Sequence, residues 1–398
     1  MFKKKISTAI MLSSCFATSM YGEAQSLLEA LKEGSPTVQL RLRYEDVSDD
    51  TSATGANDVE DLTLRTAIGY KTGSYMGFSA YAQLEDISMI DDNDTANADT
   101  RASDINQAYV KYSNSAFEST LGRQTIIYDN ARHVGNVGWR QNDQTFDALS
   151  LKYKGVDNLT LSYNYIWQVN RIFATQEKSS HHLFNAAYKF GSSKLVAYYY
   201  GVDFDVDQNN AGAAFKFTDD TDTYGLELSG APKVGETTLS YSLEYAQQSD
   251  GSDGLTSYDA NYINAEVGAG FSGVTLKVGY ELLGEDNGKS FATPLATVHA
   301  FNGWSDKALV TQVKGNGSGI EDTYFSVGGK VGGVALLGVY HDLSAETGTA
   351  AFDGSEIDLL AVYKCKSGFV FGGKAAFFDA DSAANDLEKF WIWTEYKI

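Results

Sequence analysis

The chain has 398 residues, with 31 Lys and Arg against 52 Asp and Glu, for a formal net charge of −21. Aromatics at 13% with three Pro exclude a disordered chain, the acidity leaves no basic face for nucleic acid, and no run of apolar residues is long enough for an ordinary transmembrane helix. The length suits two or three soluble domains or one large β-barrel, and 25 Tyr with 21 Phe favour strands.

Residues 1–24 read as a secretory signal peptide. Lys3, Lys4 and Lys5 form a basic start, Ile6 to Ala17 is apolar, and Gly22-Glu23-Ala24 is a small-x-small cleavage site. Leu12-Ser13-Ser14-Cys15 also matches a lipoprotein cleavage box, so a lipid-modified Cys15 is the alternative to a plain leader cysteine. After cleavage at Ala24 only Cys365 remains, which excludes an internal disulfide. Residues 25–36 are expected to form a short periplasmic helix, because Ser26-Leu27-Leu28-Glu29 is a capping box and Gly34 a stop.

From 37 to 398 the pattern alternates with period two. Strands are predicted over 37–47, 61–71, 76–87, 105–113, 116–123, 146–154, 159–171, 182–190 and 194–203. They continue over 223–230, 237–247, 258–271, 274–283, 322–331, 334–345, 355–364, 369–379 and 387–398, which makes eighteen. Most have about ten residues, the length a tilted strand needs to cross a bilayer. Long connections of 13, 17, 22, 10, 19, 10, 38, 9 and 7 residues alternate with short ones of 4, 2, 4, 3, 6, 2, 2 and 4. A soluble sandwich has no reason to do this. An antiparallel up-and-down outer-membrane barrel does, with short periplasmic turns and long extracellular loops. Residues 206–217 are read as loop; a different division would give sixteen strands.

The faces agree. Leu239, Tyr241, Leu243 and Tyr245 oppose Ser240, Ser242 and Glu244; Val274, Leu276 and Val278 oppose Thr275 and Lys277. The last strand places Phe390, Ile392, Thr394, Tyr396 and Ile398 on one face, like the C-terminal signal of outer-membrane proteins, with Ile398 in place of the usual Phe. A charge facing lipid at mid-bilayer costs about 2–4 kcal/mol. Arg41, Arg43, Arg65, Lys111 and Lys152 should therefore point into the lumen, and so should Glu45, Glu85, Glu118, Glu244, Glu266 and Glu281. The expected lumen is mixed in charge, and at this width side chains alone do not fill it.

Two long connections are chemically distinct. The loop 124–145 carries Arg132, His133, Trp139 and Arg140, with Arg123 at its start; the loop 284–321 carries His299, Phe301, Trp304, Asp306 and Lys307. The run Gly122-Arg123-Gln124, Asp129-Asn130, Arg132, Gly135 to Asn142 and Gln144 to Asp147 resembles the alginate-export family of outer-membrane porins. So does the block Thr293 to His299, Phe301 and Gly303 to Lys307. The resemblance implies an eighteen-stranded barrel, and family founders that pass an anionic uronate polymer through an Arg- and Lys-rich pore. A mixed lumen departs from a purely basic exporter.

Read from the residues alone, Arg123, Arg132 and Arg140 either line a constriction and fork to anions, or pair with Asp129, Asp143 and Asp147 and pin the loop. Because the 124–145 loop is less acidic than its neighbours, it is expected to fold inward, with Arg132 and Arg140 as anion contacts. Trp139 and Trp304 either stack on sugar rings or pack a folded loop. The acidic loop clusters lack the spacing of a calcium loop and read as a solvated rim. His181 and His182 are adjacent and point to opposite faces of a strand, and no nucleophile elbow, phosphate loop or metal pair appears. The expectation is a channel rather than an enzyme, with no cofactor, passing small polar or anionic solutes, sugar acids or oligosaccharides. An export pore for an anionic polysaccharide is the alternative. Partners would be outer-membrane lipid and lipopolysaccharide, the barrel assembly machinery and the solute.

Overall fold

The computed structural model describes residues 23–49, 59–90, 99–205, 220–251, 257–315, 317–381 and 385–398. Residues 1–22 of the leader with Cys15, the segment 206–217, and Asp50, Asp58, Asp91, Asp92, Asp94, Asp207 and Asp219 of the acidic rim lie outside them.

Eighteen of the strands form one antiparallel wall. They are β1 Ser35–Asp49, β2 Val59–Lys71, β3 Phe78–Met89, β4 Ala102–Ser113, β5 Phe117–Gln124 and β6 Thr145–Val156. Then come β7 Leu159–Asn170, β8 Gln176–Phe190, β9 Ser193–Val202, β10 Thr221–Gly230, β11 Thr237–Asp250 and β12 Asp259–Phe271. The last six are β13 Val274–Leu283, β14 Ile320–Val331, β15 Val334–Ser344, β16 Gly354–Lys364, β17 Phe369–Ala380 and β18 Leu387–Lys397. Each pairs with its predecessor, and β18 pairs with β1 from Gln39 opposite Lys397 to Asp49 opposite Leu387. The sheet therefore closes and leaves no edge, which satisfies every ladder hydrogen bond without water. Among the described residues no helix is long and apolar enough to cross a membrane; the strands do so.

The alternation is realised in side-chain placement. Leu239, Leu243 and Tyr245 are exposed on the outer face of β11, while Glu244, Ala246 and Gln248 between and beyond them are buried inside. Expected and observed strands differ mainly at ends. The largest difference is β8, which begins at Gln176 instead of 182. The run Gln176 to Ser180 lacks apolar alternation, yet it continues the ladder with β7 past a register shift between Ile166 and Gln168. The long 284–321 connection is not structureless. It holds a small ladder (Glu285–Asp286 with Lys289–Ser290), a 3-10 turn Val298–Ala300, and helix α2, Leu309–Lys314, closed by Gly315 in the left-handed region.

Helix α1, Leu27–Lys32, lies where the capping box placed it, and Ser26 accepts from the Glu29 N–H at 3.2 Å. Gly34 does not end it with a left-handed turn. It is required because a Cβ there would meet the Tyr70 ring at 2.4 Å.

Candidate functional site

The loop joining β5 to β6 does not stay outside; it crosses the lumen. Arg41 on β1 donates to Gln141 Oε1 at 2.8 Å and to the Gly138 carbonyl at 3.1 Å, and it also reaches the Arg140 carbonyl. Arg43 donates to the Trp139 carbonyl at 2.6 Å and pairs with Glu45 and Asp99. Arg65 on β2 pairs with Asp143 at 2.7 Å and with Glu85. At the far wall Arg132 Nε meets Glu281 on β13 at 2.7 Å, His133 meets Glu244 on β11 at 2.9 Å, and Asp129 meets Lys194 on β9 at 2.7 Å. One loop is thus clamped to strands on opposite sides of the barrel. Inward charges that would otherwise face water or each other are used as the clamps.

The β13–β14 loop packs against this crossing loop. Val134 forms a parallel bridge with Leu295, Gly135 N donates to the Leu295 carbonyl at 2.8 Å, and Gln144 Nε2 donates to the same carbonyl at 3.1 Å. Gly135 allows this approach, since a Cβ there would meet Thr297 Oγ1 at 2.3 Å. A cavity of about 20 Å³ remains between His133, Thr293 and Leu295 on the loops and Tyr200 and Gln248 on the wall, enough for roughly one water.

The second loop is anchored through a buried ammonium. Lys374 on β17 lies 2.7 Å from His299 Nε2, with ring centroids of Trp304, Trp139 and Trp391 at 3.8, 4.3 and 5.2 Å. The ammonium can only donate, so Nε2 accepts and Nδ1–H is left for Asp306 Oδ1 at 2.7 Å. Burial, helped by Lys374 and opposed by Asp306, pushes His299 down to about 3 and keeps it neutral. Burial would raise Asp306, but His299, Lys389 and Arg140 outweigh it and hold the carboxyl below the usual range. Ser305 N donates to Glu356 at 2.7 Å, and Trp304 N donates to Asp358 at 3.1 Å, both on β16.

The expected site residues separate into three groups. Arg41, Arg43 and Arg65 point inward, as alternation requires, and are covered by the crossing loop. Arg132 and Arg140 fold inward with their loop. Both are enclosed and paired with carboxylates: Arg132 with Glu281 on the wall, and Arg140 with Glu45 on the wall at 3.1 Å and Asp306 on the second loop at 3.5 Å. Burial lowers each guanidinium, but these partners outweigh it and hold both above their ordinary value. Arg132, at 0% exposed, presents no surface to a passing anion in this structure and acts as a brace. Its partner is not Asp129, Asp143 or Asp147. Arg123 needs a correction. It shares the face of Leu121, which is 55% exposed on the outside, and bonds Asp147 at 2.7 Å and the Ile105 carbonyl at 2.9 Å. It belongs to the outer surface of the wall rather than the lumen. Lys111 and Lys152 face the open inner part of the barrel near the short turns. Trp139 and Trp304 pack around Lys374, with Trp139 stacked on His299 at 5.3 Å. Sequence reasoning missed Lys374 and His299 as a unit; 75 residues separate them, and no local pattern joins them.

A family profile described as alginate export matches residues 35–283, more than half of the chain. The chain belongs to the alginate export family. No curated protein matches its sequence significantly. Solved structures share the fold of this family member. Pseudomonas aeruginosa OccK9 (OpdG) superposes with a TM-score of 0.72 at 17% identity, covering 93% of this chain and 99% of that one. Pseudomonas aeruginosa OpdK, solved with vanillate, gives 0.71 at 15% identity over 92% and 99%. Acinetobacter baumannii OccAB4 gives 0.71 at 14% identity over 92% and 98%. The eighteen-stranded architecture and the family together make the protein a bacterial outer-membrane β-barrel of the porin type.

Proposed function

We propose that this barrel is a passive channel for small anionic solutes such as sugar acids. The observation that carries the reading is on the inner wall near the short turns. Lys111, Lys152 and Lys154 on β4 and β6 converge on a single carboxylate, Glu118 on β5, with Lys111 at 2.9 Å and Lys154 at 2.6 Å. Lys111 and Lys154 remain one-third to one-half exposed, so their charge is available to a solute. On β12 and β13, Lys277 likewise offsets Glu266 at 2.8 Å. In a protein of net charge −21, a patch of surplus positive charge inside the lumen favours anion entry. Above it the interlocked loops narrow the passage, which suits small solutes.

The test is the reversal potential of the purified barrel in a salt gradient. Lys111→Gln with Lys152→Gln should move selectivity toward cations, more at low salt than at high salt. Unchanged selectivity at low salt rejects the anionic reading. The family supports a second reading, export of an anionic polysaccharide. It would require the crossing loop to leave the lumen, and a long oligouronate would then cross vesicles as readily as a monomer. In either case residues 1–24 act as the export leader, and the barrel assembly machinery inserts the chain among phospholipid and lipopolysaccharide.

A further inference from the structure

Helix α1 carries an apolar face that nothing among the described residues covers. Leu27, Leu28 and Leu31 are 65%, 62% and 47% exposed, while Ala30 to one side of them is buried. At 100° per residue the three leucines occupy one stripe, with Glu29 and Glu33 across from it. The position of the helix is fixed by its contacts. Gly73 N donates to the Ala30 carbonyl at 2.8 Å, and Tyr70 Oη donates to the Leu31 carbonyl at 2.5 Å. Tyr70 follows Ile68 on the outer face of β2, whereas Ala67 and Gly69 face inward. The turn that holds the helix continues into the exposed Met76 and Phe78, and Phe78 packs on outward Tyr112 at 4.9 Å. The helix is therefore tied to the outward side of the wall at the short-turn rim, beside the exposed apolar side chains of the lipid-facing band.

We infer that α1 is an interfacial foot, whose Leu27, Leu28 and Leu31 insert into the periplasmic leaflet beside β2 while Glu29 and Glu33 stay in water. A short helix with an apolar stripe and an acidic back suits the headgroup boundary of a bilayer. Its backbone ties to the 72–77 turn make it a fixed rest for the barrel rather than a plug.

The test uses the full exported chain with Cys365→Ser, refolded into phosphatidylethanolamine and phosphatidylglycerol vesicles. A nitroxide is placed in turn at Leu28→Cys, Leu27→Cys and Glu33→Cys, and heat-modifiable gel mobility confirms folding. Collision with oxygen should exceed collision with a water-soluble nickel complex at both leucine positions, and the order should reverse at Glu33→Cys. If the leucine positions collide with the nickel complex as often as Glu33→Cys does, the foot is wrong and the stripe faces water. If they are shielded from both probes and show spin–spin broadening between copies, the occupant is a second chain, and the lipid assignment is equally overturned.

Discussion

Removing the Arg132 guanidinium tests whether ion pairs buried in the lumen hold the crossing loop in place. The group is enclosed, and it donates to Glu281 at 2.7 Å, Thr293 at 3.1 Å and Asn302 at 3.4 Å. Arg132→Ala leaves the Glu281 carboxylate buried without the guanidinium opposite it, a change that costs about 3–5 kcal/mol in comparable pairs. At about 1.4 kcal/mol per tenfold, loop docking weakens by roughly two to three and a half orders of magnitude. The wall itself keeps its ladder, because the pair joins loop to strand and not strand to strand. The expected result is a barrel that still folds, with larger single-channel conductance and more current noise in planar bilayers. Arg132→Met combined with Glu281→Leu removes both charges and fills their space, which is often neutral. That double variant should return conductance and noise toward the parent protein. If Arg132→Ala alone shows parental conductance and noise in a folded barrel, the pair does not hold the loop. If the double variant is as noisy as the single one, the uncompensated carboxylate is not the cause.

Two further outcomes follow from the wall and the second loop. Leu243→Arg and Leu276→Arg should impair assembly by about 2–4 kcal/mol each, as read by the folded gel band, while Ser242→Arg should be accepted, because a one-residue step reverses the face; equal tolerance of all three contradicts the register. Because His299 is held near 3, against an ordinary value of about 6.5, the undocked loop binds the proton more tightly than the docked one. Docking is then at full strength above about pH 6.5 and weakens as pH falls toward 3, by at most about 1.4 kcal/mol per pH unit. Asp306, held below the usual carboxylate range, adds its own loss only below about pH 4. Channel noise should rise between pH 6.5 and pH 4.5 and stay flat in His299→Gln; an unchanged acid response in that variant places the titration elsewhere.

The barrel was legible in the chain because its determinants are local. Period-two alternation assigns Leu239 and Leu243 to one face and Glu244 to the other without any knowledge of neighbouring strands. The alternation of short and long connections likewise orders the strands before they are seen to pair. Even the outward face of Arg123 was written there, since it has the parity of Leu121; reading it as the start of an inward loop hid that signal. The partners of the buried charges were not legible. Arg132 finds Glu281 149 residues away, Arg140 finds Glu45 95 residues away, and Lys374 finds His299 75 residues away. A charge pattern says that an arginine must be compensated once it leaves water, but not which carboxylate will face it. That choice depends on barrel closure and on where two long loops meet inside it. The sequence by itself therefore determined a closed wall with inward charges, and the tertiary structure decided that most of those charges brace the loops while Lys111 and Lys154 near the short turns stay partly exposed.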